Sequence, residues 1–376
     1  MTPSLACSDD VVPAASLGRI VAQGLVSATA ARSPLDAVEN LLALQGQQAS
    51  AIPWAIGVRC VGVPRAQISA AFDSGALVRS WPMRGTVHVT SGHDHHWLRR
   101  LLRHRRAAWE RQASSLGLST AIVDRAAQVA CDLLEASPGG VSRAELVEAW
   151  ENSGIDTVTA SSSQAGLRRR HLVMRLHLDG VLAAGPLRAG QHLMVDARGL
   201  PGAPGVAQGE SGHDEALAVL AARYAWGHGP IDEADLARWT GLTLTQARRA
   251  MAGAREAGSS LGLPIAEFEG GLARADLADL VADCRNEAEA MLALPSFDEL
   301  HVGYKDRSCL TDEAGEALIC PAKNGMFRPI AVANGHVVAV RAPGSQVVTA
   351  NGCGTYEESA RRAFGDWEKW LSETQH

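Results

Sequence analysis

The chain is poor in aromatic residues, which make up 5% of its 376 positions, so Leu, Val and Ala must fill most of any core. It has no apolar run near the ~18 residues of a membrane-spanning helix, and no membrane association is expected. Its Ala- and Val-rich beginning carries Asp9 and Asp10 where a secretory leader would be basic, and Arg19 interrupts the apolar stretch that follows. The expectation is a soluble cytoplasmic protein. Cysteine pairs at metal-binding spacing are missing too. Cys7, Cys60, Cys131, Cys284, Cys309, Cys320 and Cys353 are scattered and odd in number, which argues for reduced thiols and against a disulfide frame or zinc site. The Gly-rich segment 199–212 holds no phosphate-loop signature, and no Ser/His/Asp arrangement stands out. No cofactor and no metal are expected.

What is present is ordinary globular composition, 46% hydrophobic and 20% charged, at a length that suits two to four compact units. The net charge of −6 argues weakly against a nucleic-acid partner. The positive charge is nonetheless clustered, and DNA responds to local patches rather than totals. Arg99, Arg100, Arg103, Arg105, Arg106 and Arg111 face only Glu110 in their stretch, and Arg168, Arg169, Arg170 and Arg175 form a second one. Phosphate contact from Arg99, Arg103 and Arg106 is one reading; a solvated helix face is the other.

Apolar periodicity predicts helices over 17–25, from Ser33-Pro34 to about Gln45, over 51–59, from about Pro64 with Ile68 and Phe72 inward, and over 93–111. Strands are predicted at 76–81 and 86–90. The order of helices followed by a two-stranded hairpin then recurs. Helices at 121–135, from Ser142 (a capping box with Glu145) and at 164–178 precede strands at 180–184 and 191–195. A third round places helices at 214–226, 231–239 and 244–253. Strands follow at 317–320, 329–333, 336–340 and 346–349, with Asn334-Gly335 as a hairpin turn, and an amphipathic helix spans 357–371. His93-Asp94-His95-His96 invites a metal reading. Neighbouring histidines at a helix start diverge, however, and a capped helix start with Asp94 in its first turn fits better.

Three ordered segments carry a resemblance. They are Leu41-Leu42-Ala43-Leu44-Gln45-Gly46-Gln47-Gln48, the stretch Leu77 to His88 containing Trp81-Pro82-Met83-Arg84-Gly85-Thr86, and Leu294-Pro295-Ser296-Phe297-Asp298-Glu299-Leu300-His301 with Gly303-Tyr304-Lys305-Asp306-Arg307 after it. Over about 17–345 the chain resembles the AlkZ/YcaQ-like family of winged-helix DNA glycosylases. The resemblance implies an α+β fold of three tandem winged-helix units followed by a small β-barrel-like domain, arranged as a C-shaped DNA clamp. The boundaries expected are a flexible tail at 1–16, winged-helix units at 17–115, 116–200 and 213–262, and a β-rich domain with a C-terminal helix at 263–376. It further implies a monomeric, monofunctional enzyme on double-stranded DNA. That enzyme would hydrolyse the N-glycosidic bond of alkylated purines, N7-alkylguanine included, and in some members open interstrand crosslinks and protect antibiotic producers. The family's Gln-x-Gln motif falls on Gln45 and Gln47. Gly46 departs from the larger apolar residue usual between them, and the tryptophan expected near Val340 is missing.

The glutamines fit that chemistry only under conditions. Residues two apart on a helix point about 200° apart, so Gln45 and Gln47 share a site only if the backbone leaves the helix. If the helix continues, Gln45 pairs with Gln48 instead. Glutamine is a poor general base, yet an N7-alkylguanine is already cationic and departs neutral, so amide dipoles can stabilise charge building on the sugar and orient water. A structural helix-end role for these glutamines is the bland alternative. Further DNA-facing candidates are Gln48, Arg59, Arg84, Thr86, His88, Tyr304, Lys305 and Arg307, with internal bonding of His88 and an Asp306–Arg307 ion pair as the competing readings. Whether the base is flipped out stays open. A non-catalytic winged-helix DNA-binding regulator and a protein that sequesters a DNA-reactive drug are the alternative functions.

Overall fold

The computed structural model describes residues 12–83, 85–103, 106–157, 162–202 and 212–372. Most of the expected tail and of the Gly-rich segment 199–212 lies outside them. The chain divides into two compact units, Met1–Ile68 with Ala207–His376, and Ser69–Val206.

The first unit begins with α1 (Ala14–Ala22), α2 (Pro34–Leu41), the two-residue strand β1 (Leu44–Gln45) and α3 (Ile52–Gly57), and the unit boundary falls within α4 (Arg65–Asp73). Helix α2 starts as its sequence predicts. The Ser33 side chain accepts from Asp36 N at 3.1 Å, and Pro34 occupies a first-turn position where no N–H is needed. Its end differs from expectation. The helix stops at Leu41, because Leu42 takes φ 64°, and the break therefore falls at Leu42 rather than after about Gln45.

The second unit contains β2 (Leu77–Met83), β3 (Thr86–Ser91), α5 (Gly92–Leu101), α6 (Arg106–Ser115), α7 (Thr120–Ala136), α8 (Arg143–Asn152), α9 (Ser162–Asp179), β4 (Leu182–Arg188) and β5 (Gln191–Asp196). Its strands run in the order β3-β2-β4-β5, with Arg79 opposite Ala184 where the two hairpins join. The helix expected over 93–111 is two helices. Its start is capped: Ser91 accepts from Asp94 N at 3.1 Å, and Asp94 accepts from Trp97 Nε1 at 2.7 Å. The Ser142–Glu145 capping box forms. Trp150, fully buried, packs with Leu146, Leu172 and Leu176 and donates its indole N–H to Ala126 O at 2.9 Å.

The chain returns to the first unit with α10 (His213–His228), α11 (Glu233–Thr240), α12 (Leu244–Ser260), the hairpin β6 (Ile265–Phe268) and β7 (Gly271–Arg274), α13 (Leu277–Asp283), α14 (Arg285–Glu289), β8 (Leu292–Leu294), α15 (Glu299–Val302), α16 (Glu313–Ile319), β9 (Ile330–Ala333), β10 (His336–Arg341), β11 (Val347–Thr349) and α17 (Glu357–Ser372). An antiparallel sheet runs β11-β10-β9-β8. Asn334 (φ 49°) and Gly335 (φ 70°) make the tight turn between β9 and β10. Helix α17 buries Ala360 and Phe364, and Trp54 meets Phe364 edge-on with ring centroids 6.2 Å apart.

Residues 317–320, expected as a strand, lie in and just beyond α16. Asp312 accepts from Gly315 N at 2.7 Å and starts a helix through that short apolar run, a case where periodicity alone does not separate the two states. The β6-β7 hairpin and β8 were not anticipated. Among the described residues no helix is long and apolar enough to cross a membrane.

Helix α10 crosses α2 closely. A Cβ on Gly227 would lie 1.9 Å from Asn40 O, so backbone would have to move. Gly227→Ala is expected to lower unfolding free energy by about 1–3 kcal/mol or more, read in urea as a lower midpoint with unchanged slope.

Candidate active site

The site is built on a buried polar network in the first unit. Phe297 turns through φ 63°, a conformation that costs a bulky residue about 1–3 kcal/mol, and two adjacent carboxylates follow it. Asp298 receives both terminal nitrogens of Arg59 at 2.8 Å, a two-pronged ion pair. It also accepts from Leu300 N at 2.9 Å and so caps α15. Glu299, fully buried, accepts the backbone N–H of Gln45 at 2.6 Å. Its other oxygen faces Trp239 Nε1 at 3.2 Å and His228 Nε2 at 3.4 Å. Segments 41–48 and 294–307 of the sequence thus meet through one side chain.

The network extends outward. Gln23 accepts from Arg59 at 2.7 Å and donates to Tyr304 Oη at 2.8 Å. Tyr304 donates to His228 O at 2.7 Å, and the Arg19 guanidinium lies over its ring, 3.7 Å from the centroid. Asp235 pairs with Arg19 at 3.3 Å and accepts from Lys305 N at 2.7 Å. Tyr224 stacks on Trp239 with centroids 4.5 Å apart. Electrostatics follow from burial. Burial is the largest influence on Arg59 and works to lower its pKa, but the charge and hydrogen bonds of Asp298 outweigh it and the net shift is upward. His228 is lowered by burial, which the bond to Glu299 only partly offsets, so it is neutral near pH 7. Burial raises Asp235 and the Tyr304 phenol.

Gln45 stands on the extended stretch β1, half-buried, and its side-chain Oε1 is buried with no hydrogen-bond partner in the described structure. Gln47 is exposed at the bend that follows, and Gln48, also exposed, is extended (φ −104°, ψ 106°) with Nε2 donating to Ser50 Oγ at 3.1 Å. The helical register that would place Gln45 and Gln48 on one face is therefore absent. Beside Gln48 opens a cleft of about 550 Å³ whose lining includes Ser296, Asn324, Met326, Phe327, Arg328 and Arg341. Met326 is 60% exposed.

The other candidates lie as follows. Arg59 and Tyr304 are inside the network just described, where neither side chain reaches solvent. Lys305 is exposed, while Arg307 pairs with Glu316 at 2.8 Å rather than with Asp306, which accepts from Ser308 N at 2.8 Å. In the second unit Thr86 is half-buried at the start of β3, and His88 is fully buried with Nδ1 3.1 Å from Thr86 O. Arg99 donates to Leu178 O at 2.7 Å. Arg103 is exposed. Arg106 opens α6, with its side chain outside the described structure, and Arg84 lies outside the described residues altogether. In the second basic stretch Arg168 and Arg169 donate to main-chain carbonyls, and Arg175 binds Asp179 at 2.7 Å. Sequence reasoning quoted Asp298 and Glu299 but gave them no role. Two adjacent acids set between Leu294-Pro295-Ser296-Phe297 and Leu300 were the available signal, since buried carboxylates need dedicated partners.

A family model described as DNA glycosylase AlkZ-like matches residues 38–364. Among solved structures, Streptomyces sahachiroi DNA glycosylase AlkZ superposes with a TM-score of 0.63 at 20% identity, over 94% of this chain and 96% of that one. The mixed α+β fold is thus similar to that protein's. No curated protein matches the chain.

Removing one partner of the Arg59–Asp298 pair leaves a buried, uncompensated charge. Asp298→Ala is expected to lower unfolding free energy by about 3–5 kcal/mol. Denaturant titration checks this; a loss within error of zero would mean the pair contributes nothing.

Proposed function

Because the chain belongs to the AlkZ-like family of DNA glycosylases, we propose that it hydrolyses the N-glycosidic bond of alkylated purines in duplex DNA, with Gln45 and Gln47 as the catalytic amides. What carries the reading is Gln45: its side-chain oxygen is buried, acceptor-only and without a protein donor, on a backbone segment held by a carboxylate. A buried acceptor left unsatisfied costs free energy, and a water or a cationic sugar supplies what it lacks.

In the reaction the C1′–N9 bond breaks and its electron pair passes to the purine, which neutralises the charge that N7 alkylation placed there. Positive charge develops on the sugar, and the amide carbonyls stabilise it. Water, oriented by the same oxygens, adds to C1′ and loses its proton to solvent. No general acid is needed, because the purine departs neutral without protonation, and no strong base, because the cationic sugar captures neutral water. In this reading winged-helix units occupy 17–115, 116–200 and 213–262, and 263–376 is a barrel-like domain. Exposed Arg103 and Lys305 meet phosphates, and the cleft beside Gln48 gives room for adducts larger than methyl. Bulky natural-product adducts, interstrand crosslinks and a self-resistance role are extensions of the same chemistry.

Gln45→Ala or Gln47→Ala is expected to slow single-turnover release of N7-methylguanine from methylated duplex by about 100–1000-fold. A double variant with the wild-type rate would overturn the assignment, and DNA binding without base release by the wild type would favour a regulator. Arg103→Ala is expected to weaken binding uniformly across sequences and to reduce the salt slope of log K by about 1, measured by fluorescence anisotropy from low to moderate salt.

A further inference from the structure

The geometry points to Glu299 as the positioning residue of the Gln45 amide: its buried carboxylate fixes where the backbone of the glutamine motif stands. This inference rests on the reading of Gln45 as catalytic.

Three observations carry it. First, Glu299 is connected on both sides. Oε1 accepts Gln45 N–H at 2.6 Å, and Oε2 faces Trp239 Nε1 at 3.2 Å and His228 Nε2 at 3.4 Å. Against an acceptor-only carboxylate, His228 Nε2 carries the hydrogen, which fixes its tautomer. Second, the anchoring side is rigid. Trp239, His228 and Tyr224 are fully buried and mutually packed. A Cβ on Gly303 would come within 3.0 Å of the Glu299 carboxylate and 2.6 Å of Glu299 O, so the chain passes there only because residue 303 has no side chain. Third, both segments that meet at the contact are bent through left-handed non-glycine residues just before it, Leu42 (φ 64°) and Phe297 (φ 63°). Such conformations persist where the surroundings over-determine them.

A neutral carbonyl would satisfy a backbone N–H at far smaller desolvation cost than a buried carboxylate. The charge-assisted bond is shorter and stiffer, and stiffness at Gln45 N is what a catalytic amide four bonds further along its own side chain requires. Asp298 secures the strand of the network that reaches Arg59, and Glu299, next to it, secures the motif. The two carboxylates divide the tasks of stability and position.

The test uses the full chain and three variants. Glu299→Asp keeps the charge but withdraws the carboxylate from Gln45. It is expected to slow N7-methylguanine release about 100-fold while the Kd for methylated duplex stays within about twofold, the pattern of misplacement rather than lost binding. Glu299→Gln presents an amide N–H to the Trp239 indole N–H, so a donor meets a donor and the rate falls. Adding Trp239→Phe removes that clash, and His228, whose Nδ1 has no partner among the described residues, takes the other tautomer and accepts at Nε2; the double variant is expected to recover most of the loss, with Trp239→Phe alone as the reference. The unfolding midpoint is read beside the rate and the Kd, since a purely structural role would move the midpoint and the rate together. Hydrogen exchange at the Gln45 amide is read in parallel: slow in the wild type and fast in Glu299→Asp. Wild-type rates in Glu299→Asp, or absence of rescue together with unchanged Gln45 exchange, would overturn the positioning role. A wild type that releases no base would instead overturn the glycosylase reading, and Gln45 exchange would still decide whether Glu299 holds that amide.

Discussion

Two carboxylates placed side by side in a buried turn are the constraint around which the first unit is arranged. Asp298 needs a guanidinium, and Arg59, just beyond α3, supplies it. Glu299 needs N–H donors and finds them on β1, α10 and α11. Neither acid can be left alone in such surroundings, since an unpaired buried charge is far more costly than a satisfied one. Four parts of the chain remote in sequence are therefore held in register by the solvation needs of two adjacent residues. Position 45 is one of the places so fixed.

That arrangement explains why several cationic and aromatic residues suited to a DNA surface lie elsewhere. Arg19 stacks on Tyr304 and pairs with Asp235, and Arg59 is wholly enclosed. Arg99, Arg168 and Arg169 give hydrogen bonds to main-chain carbonyls. An arginine fork satisfies exposed carbonyls at helix ends as readily as it meets phosphate, so a run of arginines in sequence overstates the positive surface available to a nucleic acid. Among the described side chains of the two runs, Arg100, Arg103, Arg111 and Arg170 are exposed, a basic set in a chain whose net charge is −6.

The helix starts, the hairpin turn and the inward faces were legible in the sequence because each depends on neighbours within a few positions. Ser33 and Ser142 cap as their spacing dictates, the helix after Ser91 starts capped with Asp94 in its first turn, Asn334-Gly335 turns with both φ values positive, and Ile68 and Phe72 point inward. The family was legible from three ordered segments, and the matching of residues 38–364 agrees with it. The end of α2 was not legible, since nothing local forces Leu42 into a left-handed conformation. Nor was the state of 317–320, where a cap at Asp312 outweighed an apolar run compatible with a strand.

The site divides along the same line. Sequence alone determined which residue types are available to it: two glutamines in a short motif, two acids in another, and histidine and tryptophan side chains scattered between. Tertiary structure decided that Gln45 leaves the helix, that its amide N–H meets Glu299 across 254 positions of chain, and that Arg59 and Tyr304 serve the interior. The physical reason is that capping and turn energies are set by atoms a few bonds apart, whereas the partner of a buried charge is chosen by whatever the folded chain brings within hydrogen-bonding distance.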